Sequence, residues 1–167
     1  MGLYEARKFV AESYAENDLI GKQLLIAYLV GKGHVIREET FDEDYGIDIV
    51  TEHDGQRYLF EVEMKDKYDF TDEESFPFET VSFLGRKEKW KTIKYFYCII
   101  STKTKAAIFC DSDTIFNEEY KQVIHIETYN RQGLDSFYRV PKELCQFREP
   151  KDFYKKNHKK IWDQLNN

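Results

Sequence analysis

Residues 45–65 read YGIDIVTEHDGQRYLFEVEMK, and the fold turns on how this stretch pairs with itself. Two β-rich runs, Tyr45 to Thr51 and Arg57 to Lys65, flank His53-Asp54-Gly55-Gln56. Asp-Gly between such runs is the strongest short-range hairpin signal, because both turn residues must accept positive φ. A turn centred on Asp54-Gly55 pairs Ile47 with Val62, Asp48 with Glu61 and Ile49 with Phe60. Residues directly opposite point to the same side of a sheet. Ile47, Ile49, Phe60, Val62 and Met64 are therefore expected on one apolar face, with Asp48, Glu61, Glu63 and Lys65 together on the other.

An acidic hairpin face needs no function when it meets water. Two features argue for more. Like charges facing each other destabilise a strand pair, and Val50 and Leu59 share this face, so it is not uniformly solvated. Acids crowded beside apolar neighbours suggest a bound cation, and an all-oxygen ligand set favours Mg²⁺ or Mn²⁺ over zinc. The four histidines are scattered singly and do not join. Lys65, two residues beyond Glu63, projects to the same face, where an ammonium could orient or help deprotonate a water and offset phosphate charge.

Outward from the hairpin, the first thirty residues read as helix, interrupted near Asn17-Asp18. A well-buried run follows from Leu19 to Val30, and Gly33 suits the left-handed position after it. His34–Arg37 is a short strand. An acidic loop spans Asp66 to about Glu79. Val81 to Lys91 looks helical and basic on one side. Ile93 to Ser101 is a nearly continuous apolar strand, as in a sheet covered on both faces, and Ala106 to Cys110 is another. Strand-like pieces at Val123–Thr128 and Ser136–Val140 precede a basic helix around Asp152 to Leu165. The order implies an α/β or α+β fold with a mixed sheet and helices against it.

The 167 residues suit one domain, with a core about 17–115 and a C-terminal extension 116–167. Hydrophobic residues at 41% and charged residues at 34% exclude a disordered chain, and the 16% aromatics favour sheet packing. No apolar run reaches membrane-helix length, and residues Met1 to Glu5 lack the basic-then-apolar layout expected of a signal peptide. Cys98, Cys110 and Cys145 lack metal-type spacing; reduced thiols in a cytoplasmic protein are expected. The formal net charge is −6, but it is polarised. Residues 1–85 carry 8 Lys+Arg against 20 Asp+Glu, whereas residues 86–167 carry 17 against 11. The basic half could present a phosphate-binding surface, or only solvated faces.

Asp48 followed fifteen positions later by Glu63-Met64-Lys65 at a strand end resembles the PD-(D/E)xK nuclease superfamily, with its restriction-endonuclease-like fold. IGKQLLIAYLVGKGHVI, GIDIV and YLFEVEMK look like its Holliday-junction-resolvase-like branch over roughly Leu19 to Cys110. The resemblance implies an αβββαβ core and a Mg²⁺- or Mn²⁺-dependent nuclease acting on nucleic acid, DNA rather than RNA. It assigns Asp48, Glu63 and the Met64 backbone carbonyl as metal ligands and Lys65 as catalytic lysine, with Glu61 available for a second ion or a water. Arg86, Lys87, Lys89 and Lys91 would contact the nucleic-acid backbone, with Trp90 either a stacking platform or a core anchor. Junction-type substrates would favour a homodimer. One departure stands out: the family often carries a Glu on the first helix where this chain has Lys22. That reversal motivates the alternative of a catalytically inactive nuclease-like fold binding nucleic acid or protein. A small acidic inhibitor or adaptor is a third, weaker alternative.

Overall fold

The computed structural model describes residues 11–42, 44–85, 94–128 and 131–167. Arg86, Lys87, Lys89, Trp90 and Lys91 lie outside these described residues.

Helix α1, Ala11–Gly31, runs unbroken through Asn17 and Asp18, so the expected interruption is absent. Asp18 is exposed, where a mid-helix Asp costs little. The helix ends as its glycine suggests: Gly33 has φ +93, and His34 N–H donates to the Leu29 carbonyl at 3.0 Å. Strand β1, Val35–Ile36, precedes the hairpin β2, Ile49–His53, and β3, Gln56–Lys65. Asp54 (φ 51) and Gly55 (φ 77) make the turn, and Ile49 pairs with Phe60 in the expected register. Strand β4, Thr80–Leu84, follows, then β5, Phe96–Ser101, and β6, Ala107–Asp111. Next come the short helix α2, Ser112–Ile115, and the hairpin β7, Lys121–Thr128, with β8, Arg131–Pro141. Strand β9, Gln146–Arg148, and helices α3, Pro150–Phe153, and α4, His158–Leu165, finish the chain.

The main sheet is mixed, with order β1-β2-β3-β5-β6-β9, and β3 and β5 run parallel. A separate sheet has order β4-β8-β7. One core cluster lies between the main sheet and the helices, built from Leu24, Leu25, Tyr28, Phe60, Val62, Ile100 and Phe153. The other lies between the sheets, where Val81, Phe83 and Tyr138 meet Tyr97 and Ile99. Each fully buried aliphatic or aromatic side chain contributes roughly 1.5–3 kcal/mol, and β5, covered on both faces, joins the two clusters.

One further local expectation changes. Val81 lies in a strand, not a helix: Val81 and Phe83 point inward while Ser82 and Leu84 are less buried, the two-residue period of β4. The acidic segment after Lys65 is a loop, as expected, and it buries Tyr68, Phe70 and Phe76 in the inter-sheet core. The C-terminal segment is woven into the fold, because β9 is an edge strand of the main sheet and β8 the centre of the second sheet. Cys98, Cys110 and Cys145 are buried and free. Among the described residues, no helix is long and apolar enough to cross a membrane.

Candidate active site

The odd-numbered residues of β3 put Glu61, Glu63 and Lys65 on the side facing the second sheet, as the hairpin register requires. Glu61 is 1% exposed and faces Tyr95, whose phenol is pushed well up by burial and then by the Glu61 charge. The Glu63 carboxylate accepts a hydrogen bond from the Tyr97 hydroxyl at 2.5 Å. Burial, chiefly, and the Glu63 charge hold that phenol far above its ordinary range. Lys65 is 9% exposed; its ammonium donates to the Ser82 carbonyl at 2.6 Å and stands 4.6 Å from the Tyr68 ring centroid. Burial lowers the Lys65 pKa to about 8, against the opposing pull of Glu63 and with a small push from Lys67.

Asp48 does not follow the alternation. Gly46 has φ +91 and the chain bends through residues 47–48 before β2 begins. The bend sends Ile47 into the inter-sheet core beside Val50, correcting its expected place beside Ile49. Asp48 is instead at the open edge of β3, where its Oδ2 accepts the Val62 N–H at 2.9 Å. It lines a cavity of about 330 Å³ on the α1 side with Lys22, Thr40, Phe41 and Trp162. The Thr40 hydroxyl, 1% exposed, closes the β2 backbone by donating to the Val50 carbonyl and accepting its N–H. Lys22 donates to the Thr40 carbonyl at 2.7 Å and stands 5.8 Å from the Trp162 ring. Position 22 thus faces the Asp48 cavity, carrying a cation.

Glu63 and Lys65 are therefore coupled on one face, while Asp48 reaches the same strand from its edge. Met64 links them. The Lys65 carbonyl accepts Thr102 N–H on the β5 side, and Val62 N–H points to Asp48 on the other. Alternation turns the Met64 carbonyl to the Asp48 edge, beyond the end of the β2–β3 ladder. A carboxylate and a carbonyl on one edge fit a hard divalent cation. Glu63, turned to Tyr97, is not gathered with them, and among the described residues no three His, Cys, Asp or Glu side chains converge as a metal site.

Sequence reasoning missed the partners supplied by distant segments: Ser82 from β4, Tyr68 from the loop, Tyr97 from β5. No local pattern could name Ser82, since it depends on where the second sheet docks. Tyr97 was within reach, because a parallel neighbour of Glu61 shares its face. Beyond Ser82 a cleft of about 220 Å³ is lined by Lys67, Arg139, Tyr68 and Phe78, the last 47% exposed. Compared with family models, with curated proteins and with solved structures, the chain matches none.

Proposed function

We propose that the chain is a metal-dependent nuclease of the PD-(D/E)xK type, with a restriction-endonuclease-like core, hydrolysing phosphodiester bonds of DNA. The observation that carries this reading is Lys65: a buried lysine beside Glu63 at the end of β3, its pKa lowered to about 8. A lysine is rarely buried without cause, and one titrating near neutral pH is suited to exchange a proton with water. Ser82 holds the ammonium in place, so its orientation does not depend on substrate. Lys67 and Arg139 beside the exposed ring of Phe78 offer phosphate contacts and a stacking surface next to it.

Asp48 and the Met64 carbonyl would hold Mg²⁺ or Mn²⁺, with Glu63 joining once it leaves Tyr97. Bound there, the ion supplies Lewis-acid stabilisation of phosphate charge and a more acidic water. Incubating the purified protein with DNA and Mn²⁺ tests the reading. Cleavage should occur, stop with EDTA, and be absent from Asp48→Asn; cleavage retained by that variant would end it.

A second reading has its own observation. Lys22 brings a cation to the Asp48 cavity, and Glu63 is held by Tyr97, an arrangement suited to a fold that binds nucleic acid or protein without cutting. Calorimetry separates the two, since a binding module has no reason to take up Mn²⁺.

A further inference from the structure

At the opposite end of β3 from Lys65, the α1-side face holds a second cavity of about 240 Å³. It lies near the hairpin turn, and Tyr58 in its wall is seven residues from Lys65, roughly 20 Å along a strand. We propose that this cavity binds a small planar anion, an aromatic ring carrying a phosphate or a carboxylate.

Three features of the lining carry the proposal. First, its surface is aromatic: Phe60 and Phe96 stack at 5.6 Å and 27°, with Tyr58 and Phe109 beside them. Flat faces of this kind take a ring by offset or edge contacts. Second, the two cations at the cavity have neutral partners. Arg148 donates from Nε to the Tyr28 hydroxyl at 3.2 Å, and from its other nitrogens to the Phe147 carbonyl and Gln146 Oε1. Lys32 is exposed and stands 5.6 Å from the Tyr28 ring centroid. Third, no acid among the described residues lines the cavity, in a chain whose formal net charge is −6. Two cations held over aromatic walls without a counter-charge make a site for an anion attached to a ring.

Two histidines form a further wall. His34 and His53 stack at 4.5 Å and 12°. His53 Nδ1 donates to the Gly33 carbonyl at 3.1 Å, and His34 Nδ1 meets the Thr51 hydroxyl at 2.8 Å. Burial, then His53, keeps the His34 pKa below its usual value, so at neutral pH it offers a hydrogen bond in place of charge. Asp54, which pairs with His53 at 3.3 Å, sits on the turn outside the cavity lining. The proposal rests on these residues alone and is independent of the nuclease reading.

Calorimetric or NMR titration with AMP, benzoate, adenosine and inorganic phosphate tests it. AMP or benzoate should bind with Kd below about 1 mM, and adenosine and phosphate at least about tenfold more weakly. AMP tighter than benzoate makes the ligand a nucleoside phosphate; the reverse makes it an aromatic acid. Arg148→Gln should weaken binding about tenfold. Lys32→Gln, at an exposed position, should weaken it as well while leaving the melting temperature unchanged. No binding of either anion up to about 5 mM overturns the proposal. So does adenosine binding as tightly as AMP, or unchanged binding by folded Lys32→Gln.

Discussion

The two faces of β3 carry the same number of large side chains and do different work. Phe60, Val62 and Met64 turn to α1 and the helices, an apolar layer with Gly21 set so close that a Cβ there would stand 3.1 Å from Met64 Cγ. Glu61, Glu63 and Lys65 turn to the second sheet and are buried or half-buried, although each is ionisable. Burying such groups costs free energy that apolar side chains of equal size would not, so the first face adds stability and the second is where the proposed chemistry would sit.

The sharpest break in that comparison comes from the polar face. Lys65→Met should lower metal-dependent cleavage by about 10²–10⁴-fold, the usual contribution of a positioned proton-transfer group, with the circular-dichroism spectrum unchanged. The apolar face should respond in the opposite way: Phe60→Ala should destabilise the protein by about 3–5 kcal/mol in urea unfolding, and any loss of activity should follow loss of fold.

The pH dependence of stability sharpens the contrast. Lys65 titrates at about 8 in the folded chain and at its ordinary 10.5 when unfolded. Below pH 8 both states hold the proton and the full cost of burial is present. Between those values the unfolded chain binds the extra proton, so stability rises with pH by up to about 1.4 kcal/mol per unit. Tyr97 acts in the reverse sense above pH 10, because the folded chain keeps its proton. Urea unfolding of wild type against Lys65→Met between pH 8 and 10 isolates the lysine: wild type should gain relative to the variant. Smallest of all, Tyr97→Phe should cost about 1 kcal/mol for the lost hydrogen bond, while tightening Mn²⁺ binding a few-fold by releasing Glu63.

Much of this architecture was written locally. Asp54-Gly55 imposes its own φ values, so the register of β2 and β3, and the faces of Phe60 through Lys65, follow from the turn. Gly33 ends α1 for a similarly local reason. What escaped was set by distant partners. Thr80–Leu84 alternates like a strand, but its pairing partner β8 begins more than forty residues later, and the basic residues that follow it in sequence suggested a helix. The bend through residues 47–48, after Gly46, undid strict alternation just before β2, moving Ile47 to the other core and Asp48 to the strand edge. The polar face of β3, with Glu61, Glu63 and Lys65, was legible from the hairpin register. The partners that hold Lys65, Ser82 and Tyr68, became visible only through tertiary contacts.

The central claim is that the edge of β3 accepts a divalent ion next to a lysine poised for proton transfer. A crystal soaked in Mn²⁺ and measured for anomalous scattering addresses it directly. The account predicts a peak touching Asp48 and the Met64 carbonyl, with Glu63 swung away from Tyr97 onto the ion. A map without that peak, with Glu63 still bonded to Tyr97 and Lys22 still beside the Asp48 cavity, would contradict it.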